Sequence, residues 1–266
     1  MAARLWLCLW VAWLVWQPAQ AAGFSPNPSQ AQGAPIFAAE QIIELAKKVE
    51  KALAQRGARV AIIGRIGRPP EQMPEGMYYT HAAFAVYSDI TTQDGRHLKG
   101  YATFNEYQSD AEPDTSSLVQ DYPVDFYALV ARLEAGVIIP SPELQRRLLE
   151  VIASPTYAAL HEPSYSAIAN PYTLGKQNCT EFVLDVIQAA IYGTSDLRVI
   201  KAQSKQFFQG QQVHVNGFKL LLGSLFSREI SLSDHPSLPP VTATFETLAR
   251  YLQQYDQAEF FTLKPD

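Results

Sequence analysis

Between residues 38 and 56 the apolar positions recur every three or four residues. Ile42, Leu45, Ala46, Val49, Ala52 and Leu53 form one stripe, and Lys47, Lys48, Glu50 and Lys51 take the other side. The spacing predicts an amphipathic helix, with Gly57 as its stop. The pattern then changes to short apolar runs. ARVAIIG (58–64) predicts a buried strand, 65–79 a Gly/Pro-rich loop, and THAAFAVY (80–87) a second strand. Asp94-Gly95 is a turn signal ahead of KGYATFNEY (99–107), so the second and third strands form a hairpin.

Residues 110–117 read as loop, 124–134 as a helix behind Pro123, and 136–139 as a short strand. Ser141-Pro142-Glu143 opens a helix to about residue 152, with Ser at the cap and Pro at the first helical position. The stretch 153–177, with Pro155, Pro163, Pro171 and Gly175, reads as an ordered aromatic loop with room for one helical turn over 157–161. Then Val183, Val186, Ile187 and Ala190 mark one face of a helix running from Cys179 to about Gly193. Beyond it the pattern predicts helices over 195–209, 218–226 and 244–255, a strand over 212–215 and a polar loop over 231–240.

The first residues carry an address. Arg4, the apolar run from Leu5 to Trp16, the breaker Gln17-Pro18 and Ala19-Gln20-Ala21 have the parts of a secretory signal peptide, cleaved after Ala21 or Ala22. The apolar run is short of the ~20 residues that a membrane span needs, so no transmembrane anchor is expected after cleavage. Residues 23–35 read as a flexible linker, leaving 36–266 as a single domain in an exported protein, periplasmic or extracellular.

The formal net charge of −5 becomes −6 without Arg4 and no basic run is present, which argues against a nucleic-acid partner. With Cys8 in the signal, Cys179 is the one cysteine of the mature chain and has no disulfide partner within it. Scattered histidines with no HExxH, HxxH or CxxC spacing argue against a metal, and with no phosphate-cradling Gly loop or dinucleotide fingerprint no cofactor is expected.

A lone cysteine is commonly a small buried hydrophobe. At a helix N-terminus, however, unpaired N–H groups and the helix dipole favour a thiolate. A thiolate nucleophile needs a base that returns its proton to the leaving group, most often His. His81 opens an otherwise apolar strand directly after a loop, where its side chain reaches the end of the sheet. A core histidine is the plainer reading. His161, in the aromatic loop, is the rival base; His97 follows a hairpin turn, and His214 and His235 have no supporting context.

ARVAIIGR (58–65), THAAFAVY (80–87) and NCTEFV (178–183), in that order, resemble the circularly permuted papain-like hydrolases, the permuted branch of the NlpC-like superfamily that includes lecithin:retinol acyltransferase. VIIPSPELQ, ANPY and QNCTEFVLDV also resemble a bacterial domain-of-unknown-function family. The resemblance implies an α+β fold of permuted papain-like (NlpC) type, an antiparallel sheet packed on the cysteine helix, and an extension from about residue 195. It also implies Cys179 as nucleophile, His81 as base, and a polar residue on the third strand that orients the imidazole. A two-residue turn at Asp94-Gly95 would pair His81 with Gln108 and put Glu106 on its face; a loop one residue longer selects Asn105. Both stay open. The resemblance further implies that the backbone N–H of Cys179 contributes to an oxyanion site, with Gln177, Asn178 and Tyr79 as candidates for further substrate or oxyanion contacts. Tyr78, Tyr165 and Tyr172 are candidate groove walls or plain core aromatics.

Two functions follow as expectations. One is an exported cysteine hydrolase or acyl-transfer enzyme acting on amide bonds of cell-envelope peptides or on acyl esters. The other is a non-catalytic module that keeps the fold for binding or assembly in the envelope.

Overall fold

The computed structural model describes residues 35–92, 94–214 and 228–265. The expected signal peptide, nearly all of the linker, and the helix expected over 218–226 lie outside them. The strands of the main sheet are β1 (Val60–Ile66), β2 (His81–Thr91), β3 (His97–Gln108), β4 (Ser116–Asp121), β5 (Arg132–Ile139) and, last in the chain, β8 (Glu259–Leu263). They form a six-stranded sheet in the order β4-β3-β2-β1-β5-β8, antiparallel at every pairing. Gln211–Gln212 (β6) and Val241–Thr242 (β7) pair separately.

Helices cover both faces. On one lies α1 (Ala39–Gln55), whose Ile42, Leu45, Ala46, Val49 and Leu53 pack with Ala61, Ile63, Ala83 and Ala85 of the central strands. Each of the Ile, Leu and Val side chains contributes about 1.5–3 kcal/mol by leaving water, and each Ala less. The single-turn α2 (Pro123–Phe126) joins this layer through Phe126. The other face carries α3 (Pro142–Ile152), the short α4 (Pro155–Ala159), α5 (Cys179–Tyr192), α6 (Leu197–Phe207) and α7 (Phe245–Asp256). They pack over Ile62, Ala82, Phe84, Val86 and Ile138. Cover on both faces explains why all seven residues of β1 are buried and why its sequence does not alternate.

The helices with clear end signals lie where the pattern put them. Ser141 Oγ accepts the Leu144 N–H at the start of α3, and Gly193 ends α5 at φ 64°, a left-handed conformation suited to glycine. Thr244 caps α7 by accepting the Thr247 N–H.

Three readings need correction. The helix expected over 124–134 is a single turn; Phe126, Tyr127 and Val130 are buried under α1, and Arg132 already begins β5. Strand pairing of 132–135 with β1 and β8 overrides the local helical spacing. The loop read over 110–117 ends inside β4, an edge strand of mixed burial. Residues 259–263, to which no element was assigned, form β8 at the opposite edge.

The stretch from about 195 is part of the same core. Gly64 and Gly136 pair across β1 and β5, and the Phe245 ring lies against both. A Cβ on Gly136 would stand 2.5 Å from that ring, so this close approach needs glycine. It brings 242–244 beside the N-terminus of α5, where Thr180 Oγ1 donates to the Ala243 carbonyl at 2.7 Å.

Candidate active site

Where β1 ends and β2 begins, a cavity of about 230 Å³ opens, and Arg65, His81, Glu106, Tyr165 and Cys179 line it. Cys179 is the first residue of α5. Asn178 Oδ1 accepts the Glu181 N–H at 2.9 Å and lies 2.8 Å from the Thr180 hydroxyl, whose one hydrogen it shares with the Ala243 carbonyl. Its Nδ2 donates to the Ala167 carbonyl and to Thr242 Oγ1. The cap is thus anchored in both directions. The N–H of Cys179, one of the orphan donors of a helix start, makes no hydrogen bond within the described chain.

The helix N-terminus does not decide the thiol's charge. Burial pushes the Cys179 thiol up to about 12; the Ala82 N–H opposes this, Glu106 adds to it, and Arg65 and the Thr180 N–H oppose it. The expected preference for a thiolate is therefore overturned by desolvation, and the resting group is a thiol.

His81 is set by the hairpin. The pairs run from Thr91↔His97 to Phe84↔Phe104, the register of the longer loop, so Asn105 shares the face of His81. His81 Nε2 stands 3.3 Å from Asn105 Oδ1. An amide oxygen only accepts, so Nε2 carries the hydrogen and Nδ1 presents its lone pair. Asn105 is oriented in turn: its Nδ2 donates to Asp121 Oδ1 at 2.9 Å. Asp121 also accepts from the Thr103 hydroxyl and, at 2.8 Å, from the Tyr107 hydroxyl. The His81 ring stacks on Tyr107 at 4.9 Å with an interplanar angle of 6°. Burial first, and then Arg65, hold the imidazole well below its ordinary range, against the Asn105 bond. Arg65 donates to the Phe126 carbonyl and lies over the Tyr107 and Phe126 rings.

Glu106 projects to the opposite face of the sheet, toward α5, and so does not touch His81 as an orienting group would. Burial raises its carboxyl to about 8. Asp121 rises to about 7, also chiefly by burial. His81 and Cys179 line one cavity but approach it from different faces of β2, since His81 packs with Phe126 and Cys179 meets the Ala82 N–H. No hydrogen bond joins them.

The remaining candidates are committed elsewhere. Gln177 donates to the Leu160 carbonyl and to Asp185 and accepts the Glu162 N–H. Tyr79 donates to Glu134 at 3.1 Å, and Tyr78 donates to the same carboxylate. Tyr165 is buried in the cavity wall; Tyr172 donates to the Phe208 carbonyl outside it. The rival His161 bonds Ser116 Oγ through Nε2 at 2.9 Å and does not line the cavity. His97 sits exposed at the hairpin, His214 is exposed, and His235 bonds the Ile168 carbonyl.

Sequence reasoning missed Asp121, because its strand was not assigned, and the cluster behind Cys179. There Lys201 Nζ bonds Glu181 at 2.5 Å and Asp185 at 2.7 Å, all three side chains buried. A buried-polar spacing of Glu181, Asp185 and Gln188 on the helix was its one visible sign. Among the described residues no group of three His, Cys, Asp or Glu side chains is placed to hold a metal ion, and no helix is long and apolar enough to cross a membrane.

The model of a protein family described as "Uncharacterized protein conserved in bacteria (DUF2145)" matches residues 52–252, a span that contains every residue of the cavity wall named above. No curated protein and no solved structure matches the chain.

Proposed function

We propose, for a chain that belongs to this bacterial family, that it is an exported cysteine hydrolase or acyl-transfer enzyme of permuted papain-like architecture. The observation that carries the reading is the His81 Nε2–H to Asn105 Oδ1 bond, which leaves Nδ1 as the free acceptor of a histidine that lines the same cavity as Cys179. Cys179 attacks a carbonyl carbon, its proton passes to His81 Nδ1, and the proton is returned to the departing amine or alcohol. Water or another acceptor then resolves the acyl-enzyme. Because thiol and imidazole are both neutral at rest, the proton moves as the bond forms and not before it. The unpaired Cys179 N–H is a donor for the oxyanion. The secretory pattern of the first residues favours amide bonds of cell-envelope peptides as substrate, with acyl esters second.

The test is acylation of the mature protein by p-nitrophenyl acetate, followed by intact mass and peptide mapping. Acetyl on Cys179 in the wild type, and loss of the fast phase in His81→Ala, are expected. A second reading has its own support: a thiol pushed up to about 12, with no hydrogen bond to an imidazole, suits a module that binds without catalysis. A Cys179 inert to both the ester and iodoacetamide, whatever residue 81 is, would favour that module and sink the enzyme.

A further inference from the structure

An oxyanion site generally uses two converging donors, and the backbone supplies one here in the Cys179 N–H. The side chains that the sequence suggested for the other have their polar atoms engaged: Gln177 with Leu160 and Asp185, Asn178 with the helix cap, Tyr79 with Glu134. Glu106 differs from all of them. It follows Asn105 on β3 and so emerges on the α5 face, where it lines the cavity with Cys179. The residue is 1 % exposed; the Ser116 hydroxyl, which also bonds His161 Nε2, is the one hydrogen-bonding group beside its carboxyl, and neither oxygen makes a bond of full geometry. An unpartnered buried polar group is costly to keep, and an unpartnered buried charge far more so.

Resting on the acyl-transfer reading, we infer that Glu106 is a catalytic residue: its neutral carboxyl donates the second hydrogen bond to the substrate oxygen as Cys179 attacks. The Sγ–C bond forms, the carbonyl π pair moves onto oxygen, and the thiol proton goes to His81 Nδ1. The Glu106 proton is shared with the oxyanion and stays on the carboxyl when the intermediate collapses. The leaving group takes its proton from His81, so the charges and protons balance without another reactant.

The surroundings keep that carboxyl protonated. Ser116 faces it from β4, Tyr157 from α4, Glu162 and Tyr165 from the loop before α5, Cys179, Glu181 and Asp185 from α5, and Lys201 from α6. Burial raises it most; Ser116 and Lys201 pull it down, and Asp185 and Glu162 push it up, to about 8 in all. Below that pH it is a donor. Above it, a carboxylate would face the oxyanion and repel it.

The experiment is steady-state hydrolysis of p-nitrophenyl acetate by the full mature chain across pH, comparing wild type with Glu106→Gln, Glu106→Leu and Cys179→Ala. Wild-type kcat should fall as pH rises through about 8. Glu106→Leu should lose about 10²–10³-fold in kcat at neutral pH, with KM little changed. Glu106→Gln keeps an N–H donor, so it should lose less than the Leu variant and show no fall near pH 8. Equal kcat in wild type and Glu106→Leu, or the same alkaline fall in Glu106→Gln, overturns the role. If Glu106→Leu does not fold, the pH profile of Glu106→Gln decides alone. Turnover that vanishes in Cys179→Ala but is untouched in Glu106→Leu sinks this role and spares the enzyme. Wild-type turnover no better than Cys179→Ala sinks the enzyme reading and this role together.

Discussion

The two faces of β3 treat their polar residues in opposite ways. Toward α2, Thr103, Asn105 and Tyr107 converge on Asp121, and the amide that remains turns its oxygen to His81. Toward α5, Glu106 has only the Ser116 hydroxyl beside it and no bond of full geometry at either oxygen, and the Tyr157 hydroxyl near it has none. Behind them Lys201 is paired with Glu181 and Asp185, yet Glu181 Oε2, Gln188 Oε1 and Ser204 Oγ remain unpartnered. A fully bonded buried network holds one geometry, whereas an incompletely bonded one is costly to keep. On the proposed function, the first face aims the base and the second meets the substrate.

The sharpest way to break this comparison is to remove the aimed group. His81→Ala should slow acylation of Cys179 by about 10²–10⁴-fold, the range for a positioned acid–base residue. Single-turnover release of p-nitrophenol measures it, and an unchanged rate would mean that another group takes the thiol proton. On the other face the largest effect is on stability. Lys201→Met strands two carboxyl groups in the core and should cost about 3–5 kcal/mol by urea unfolding. Replacing Glu181 and Asp185 with apolar residues in the same chain should recover much of that loss. A single variant as stable as wild type would show that the cluster is already neutral without its lysine.

Protonation distinguishes the faces on a smaller scale. Glu106 is raised from an ordinary 4.5 to about 8. A folded-state pKa above the unfolded one means the folded protein holds the proton more tightly. That stability is fully present below about pH 4.5 and is lost as pH rises through about 8. Asp121, raised to about 7, has the same sign over a lower window. Each tenfold change in proton affinity is about 1.4 kcal/mol, so the loss attributable to Glu106 is on the order of a few kcal/mol. Urea midpoints at pH 5 and pH 9 should therefore differ in the wild type, and Glu106→Leu should narrow the gap. An equal gap in both proteins would assign the pH dependence to other groups.

How much of this was legible in the sequence depended on whether a signal was local. Ser141-Pro142, Asn178, Thr244, Gly57 and Gly193 mark helix ends by their own chemistry, and those helices were readable. The sheet edges were not: in β4, Ser116, Leu118 and Gln120 define a face only once paired to β3, and β8 gains its meaning from β5. His81 and Cys179 stood out as an isolated His and an isolated Cys at element ends, and the structure brings both to one cavity. The choice between Asn105 and Glu106 turned on a single residue of loop length, which no local pattern specifies. Asp121 required the register of an unrecognised strand. The direction of the thiol's shift required knowing that α5 is buried from its first residue, a property of packing that a helix N-terminus alone reverses in prospect.

The smallest effect tests the aiming side at one remove. Asp121→Asn keeps shape but puts an amide nitrogen where a carboxylate oxygen accepted. If that nitrogen faces Asn105 Nδ2, two donors meet, and Asn105 relieves the clash by turning over. Its Nδ2 then faces His81 Nε2, which must accept, and the ring hydrogen moves to Nδ1, where it blocks the thiol proton. If the nitrogen instead faces Tyr107, the hydroxyl rotates and accepts, and His81 keeps its working tautomer. The second arrangement is an escape, so the expected loss is about tenfold in kcat, far below that of removing a base. KM should be unchanged, because Asp121 lies behind the imidazole and not in the cavity wall. A loss as large as that of His81→Ala would mean that the Tyr107 escape is closed and that the carboxylate is what fixes the tautomer. No loss at all would mean that the Asn105 amide is held by something other than Asp121.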